Sequence, residues 1–74
     1  MKLKNVKKWL NKNNVKYELW IMTKGDKALL IELPNILTEE YSQVKNKITK
    51  YINRYNGIYE FRGGYNFILI RDLI

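Results

Sequence analysis

The sequence predicts an α+β domain in the order α-β-β-α-β-β, with a four-stranded antiparallel sheet and two helices. Three observations carry that prediction. From Thr38 to Asn56 the apolar residues Tyr41, Val44, Ile48, Tyr51, Ile52 and Tyr55 recur at spacings of three, four and seven, the stripe of a core-facing helix. Four shorter stretches alternate in polarity or run apolar between turn residues, as strands do. Finally, the two halves of the chain resemble one another at a shift of 42 residues.

Taken in order, Leu3, Val6 and Leu10 share one face of a first helix, with Trp9 at its margin, and Asn13-Asn14 supplies a stop. Val15 to Met22 alternates, placing Val15, Tyr17, Leu19 and Ile21 on one side and Lys16, Glu18, Trp20 and Met22 on the other. Thr23-Lys24-Gly25-Asp26 reads as a hairpin turn, and Lys27 to Leu33 returns as a strand with Leu29, Ile31 and Leu33 on one side. Pro34 ends it, because proline donates nothing to a ladder. In the second helix Thr38 is the expected N-cap, Glu39 and Glu40 suit the positive end of the helix dipole, and Gly57 is the expected left-handed residue after the last turn. Ile58 to Arg62 and Tyr65 to Arg71 form the last hairpin around a two-residue Gly63-Gly64 turn, which sets Arg62 opposite Tyr65, Phe61 opposite Asn66 and Tyr59 opposite Ile68. One face then collects Tyr59, Phe61, Ile68 and Ile70.

The shift of 42 aligns Lys8 to Lys12 with Lys50 to Arg54, Asn14 with Asn56, and Tyr17, Glu18 and Leu19 with Tyr59, Glu60 and Phe61; five of these nine pairs are identical. The single domain, 1–74, therefore divides into α-β-β units at 1–36 and 37–74. An approximate two-fold would set both helices on one face of a shared sheet. The other arrangement places the first helix on the opposite face.

Composition restricts the functional classes. Seventy-four residues give a core of marginal size, and with no cysteine or histidine neither disulfides nor the usual zinc frameworks supplement it. Dimerisation is the common remaining supplement. The lack of cysteine fits a reducing cytoplasm. No apolar run approaches the roughly 20 residues of a membrane span, and the basic start lacks the apolar centre of a signal peptide. General acid–base chemistry is not expected, since the seven acids are scattered and Ser42 has no histidine to activate it. Neither catalytic residues, nor metal ligands, nor a cofactor site are expected.

Two constellations remain. The net charge of +7 is concentrated in 1–16 and 43–55, and Lys4, Lys8 and Lys12 with Lys47, Lys50 and Arg54 form basic strips on the outer sides of the two helices. Phosphates would suit them, read without sequence preference; a solvated lysine-rich face is the plainer reading. The second constellation is the sheet side away from the helices, carrying Trp20, Met22, Leu30, Tyr65, Phe67 and Leu69 among Glu18, Glu32, Glu60 and Arg62. Such a contiguous apolar surface predicts a homodimer or a protein partner, unless the first helix covers it.

The compact length, the Lys/Asn/Ile/Tyr bias of an AT-rich genome, the absence of catalytic residues and a surface built for contact resemble the small early proteins that phages of low-GC Gram-positive bacteria direct against their hosts. Within that class the chain is most similar to phage inhibitors of the bacterial DNA polymerase sliding clamp. The resemblance implies a dimer in the host cytoplasm that lodges on the ring and blocks its loading onto DNA. Clamps are acidic overall, which suits a basic binder. A small basic nucleic-acid-binding protein, or an anti-CRISPR or anti-restriction inhibitor, are the other readings the composition allows.

Overall fold

A computed structural model of the chain describes residues 1–74. The elements are α1 (Leu3–Lys12), β1 (Tyr17–Ile21), β2 (Lys27–Glu32), α2 (Glu39–Arg54), β3 (Ile58–Arg62) and β4 (Phe67–Leu73), the order the sequence predicts. The strands form one antiparallel sheet in the spatial order β1-β2-β4-β3. The two most apolar strands are therefore central, and the strands bearing Glu18, Glu60 and Arg62 are the edges.

Capping explains where α2 begins. Thr38 Oγ1 accepts a hydrogen bond from the Tyr41 N–H at 3.3 Å, and Glu39 and Glu40 occupy the first turn. Its end differs from expectation: the left-handed residue is Asn56, at φ 55°, rather than Gly57. The Gly57 N–H then donates to the Ile52 carbonyl at 2.9 Å. Glycine serves close approach here, because a Cβ at Gly57 would sit 2.7 Å from Ile52 Cγ2 and closer still to Met1 Sδ. The first helix ends the same way 42 residues earlier, with Asn14 at φ 56° and the Val15 N–H on the Leu10 carbonyl at 2.9 Å. Asparagine tolerates this conformation better than other residues bearing a Cβ.

Both helices pack on one side of the sheet. Val6 and Leu10 of α1 join Ile48 and Ile52 of α2 over Leu29, Ile31, Ile68 and Ile70 in a single buried cluster. The arrangement with α1 on the far side is thereby excluded. Tyr17, Tyr59 and Phe61 flank the cluster, half-buried. Leu19 and Ile21 depart from the expected core face, remaining 46% and 63% exposed, because the cluster collects the central strands and leaves this end of β1 outside.

The second hairpin corrects the predicted register. Arg62 pairs with Phe67, Phe61 with Ile68 and Tyr59 with Ile70, around a four-residue link Gly63 to Asn66. The slip from expectation is two residues, and side chains alternate with period two, so each strand residue keeps its predicted face. Tyr65 is the exception, since it lies in the link at φ 73°. A bulge near the end of β4 has the opposite effect. Lys27 pairs with Leu73 and Leu29 with Ile70, so β4 carries one extra residue, and Asp72 stands at φ 54°. That extra residue resets the alternation and turns Leu73, not Asp72, into the core. No helix is long and apolar enough to cross a membrane.

Candidate contact surfaces

The sheet side away from the helices is built from the alternate residues of all four strands. Glu18, Leu30, Leu69 and Glu60 form one row across it, and Glu32, Phe67 and Arg62 the next. Trp20 stands opposite Ala28. Ala28 and Leu69 are fully buried without belonging to the helix-side cluster, so their own neighbours on this face shield them. Trp20, Leu30 and Phe67 are half-exposed, as is Met22, whose N–H closes the first hairpin on the Asp26 carbonyl at 2.7 Å. At the β3 side Glu60 Oε1 accepts from Arg71 Nη1 at 3.1 Å and from Arg62 Nη2 at 3.3 Å. The face is thus an apolar centre with acids Glu18 and Glu32 on one flank and a Glu60–arginine cluster on the other.

Tyr65 does not belong to it, which corrects the predicted site. Its ring leans on Phe61, a helix-side residue, with centroids 5.0 Å apart, and its carbonyl accepts the Tyr41 hydroxyl at 2.8 Å. The longer hairpin link removes it from strand alternation. Of the other predicted residues, Trp20, Leu30 and Phe67 are partly exposed on this face and Met22 at its end, whereas Leu69 lies on this side but is fully buried, which removes it as a contact.

The helix layer presents the second surface. Lys4, Lys8, Lys12, Lys47, Lys50 and Arg54 are all exposed, and no carboxylate pairs with any of them. Sequence reasoning missed what lies between the two strips. Trp9 of α1 and Tyr51 of α2 stack face to face, centroids 4.2 Å apart and planes 6° from parallel. Tyr55 meets Tyr51 edge-on at 5.3 Å, and the Arg54 guanidinium lies 6.0 Å from the Tyr55 ring centre. Burial in this seam, followed by the neighbouring Tyr55, raises the pKa of the Tyr51 hydroxyl above the usual tyrosine value. Trp9 and Tyr51 are matched residues at the 42-residue shift, but helical spacing within each segment says nothing of how the two helices meet.

A third exposed element was not anticipated either. Ile36 and Leu37 project from the loop between β2 and α2, Leu37 being 90% exposed. The loop is held by Asn35, whose Oδ1 accepts the Leu37 N–H at 2.9 Å and whose carbonyl accepts the Thr38 hydroxyl at 2.6 Å.

Compared with known proteins, the chain matches no family model, no curated protein and no solved structure.

Proposed function

We propose that this chain is a non-enzymatic inhibitor that acts by occupying the surface of a host protein, with the outer sheet face as its contact. One observation carries the reading. Both helices lie on the same side of the sheet, so Trp20, Leu30 and Phe67 stay half-exposed on the other. A tryptophan and a phenylalanine around an apolar centre, with charges at the rim, is the composition of a binding surface. Each 100 Å² of apolar area buried there would contribute about 2.5 kcal/mol before association costs. A homodimer through the same surface would compete with that contact, and a domain this small has reason to cover it one way or the other. The scattered acids and the lone Ser42 support a role without catalysis.

The resemblance to phage-encoded host-takeover proteins supplies the target the proposal commits to, the bacterial DNA polymerase sliding clamp, whose loading onto DNA would be blocked. The test is titration calorimetry of the wild type against a purified clamp from a low-GC bacterium, with a clamp-loading assay beside it. Binding should weaken about tenfold or more in Trp20→Ala, since truncated interface anchors cost at least that. Absence of heat at high micromolar concentration removes the clamp as target. Binding that Trp20→Ala leaves unchanged removes the sheet face.

A further inference from the structure

The helix layer carries a surface that the sheet-face reading does not use. On α1, Asn5 and Lys12 stand at i−4 and i+3 from Trp9, so they neighbour it on the helix surface. On α2, Lys47 and Arg54 hold the same positions relative to Tyr51. The outer side of the Trp9–Tyr51 stack is therefore bordered by Lys12 on α1 and by Lys47 and Arg54 on α2, with Lys8 and Lys50 one step further out. The first helix contains no acid, and the acids of the second, Glu39 and Glu40, are confined to its first turn, away from the seam. Tyr55 extends the aromatic line and is 57% exposed. Beside it, Met1, Lys2, Asn5 and Val6 complete a cleft of about 250 Å³ with Tyr51 and Tyr55.

We propose that this seam binds single-stranded nucleic acid, with bases stacking on the exposed Tyr55 end of the aromatic line and phosphates running along the two cationic rows. Charge alone would attract any polyanion. The aromatic line is what distinguishes a single strand: its unpaired bases offer faces to a ring, and those of a duplex are already stacked. Amide side chains of Asn5, Asn11 and Asn53 among the cations add donors and acceptors without opposing charge. The Arg54 guanidinium beside the Tyr55 ring presents a flat cation at the same place.

The experiment is fluorescence anisotropy with a labelled oligothymidylate, a duplex of equal length and heparin as competitor, at about 50 mM salt and upward. The wild type should bind the single strand more tightly than the duplex. Affinity should fall with salt at a log–log slope of about −0.7 per phosphate neutralised, and the double change Lys12→Gln, Arg54→Gln should make that slope shallower by about 1.4. Tyr55→Ala should weaken single-strand binding at least about fivefold while barely altering heparin binding. Tyr55 is exposed, so this change leaves the core intact, and circular dichroism verifies it. Three results would each overturn the proposal: no anisotropy change, tighter binding of duplex than of single strand, or an equal response of oligonucleotide and heparin to Tyr55→Ala.

Discussion

The two sides of the central strands make an instructive pair. Leu29, Ile31, Ile68 and Ile70 lie under the helices, and Ala28, Leu30, Phe67 and Leu69 lie on the outer side. In sequence the two sets are equally apolar, and strands reading apolar at every position normally lie between two layers. Here only one layer is supplied. The covered side is sealed by long aliphatic residues from α1 and α2. The outer side relies on its own rim, where the Glu60–arginine cluster and Trp20 shelter the smaller or more central residues. This side, with the composition of an interior and no cover, is the one the proposed partner would occupy.

The largest effect should come from the covered side. Ile70→Ala removes a fully buried side chain and should cost about 2–5 kcal/mol, measured as a shift in urea midpoint. That is a large share of the roughly 4–11 kcal/mol available to a domain of this size. Gly63→Val tests the hairpin that aligns the two sides. The backbone there is at φ 59°, and an added Cβ would lie 2.9 Å from Phe67 Cδ2, so a loss of about 1–3 kcal/mol is expected. Gly64→Val, at φ 63° with open space around it, should cost less; equal melting temperatures would refute the role given to Phe67. Tyr41→Phe should lose about 1 kcal/mol by leaving the Tyr65 carbonyl without its donor.

Folding should respond least on the outer side. Phe67→Lys should shift the urea midpoint only slightly while abolishing self-association in light scattering; unfolding of the variant would show that Phe67 acts as core. The helix seam gives a pH effect of its own. The Tyr51 pKa is raised in the folded state, so its contribution is intact below the ordinary tyrosine value of about 10 and is lost as pH rises through the folded pKa. Thermal melts across that range should show Tyr51→Phe losing less stability than the wild type.

Element order and face assignment were legible in the sequence because both rest on periodicity, which a slip of two residues leaves unchanged. Tyr65 shows where that reasoning stops. Counting back from a two-residue turn makes it a strand residue, but three successive left-handed residues, Gly63, Gly64 and Tyr65, lengthen the link, which the Asn66 side chain closes on the Gly63 carbonyl at 2.8 Å and contacts with Tyr41 and Phe61 hold in place. Leu73 was hidden for a related reason, since the bulge that turns it inward, marked in the structure by a left-handed Asp72, has no signature in the sequence. At the sheet face, alternation alone decides the side, so Trp20, Leu30, Phe67 and Leu69 keep their expected side, but Leu69 is fully buried there and only the first three, with Met22 at the strand end, are partly exposed. The basic strips were equally readable from helical spacing. The Trp9–Tyr51 stack was not, because it depends on how two separate helices are placed against one another.

The way α2 ends has a consequence for the chemical ageing of the protein. Asn56-Gly57 is the dipeptide most prone to spontaneous deamidation, in which the glycine nitrogen attacks the asparagine side-chain carbonyl and ammonia leaves. In the folded chain that nitrogen is engaged, its hydrogen directed at the Ile52 carbonyl 2.9 Å away. The attack therefore has to wait until the last turn frays. Each event would then set an aspartate or isoaspartate at the negative pole of the helix, where charge of that sign is disfavoured. The bond that terminates the helix thus also serves as a clock, and the rate of isoaspartate formation on storage would report how often that final turn opens.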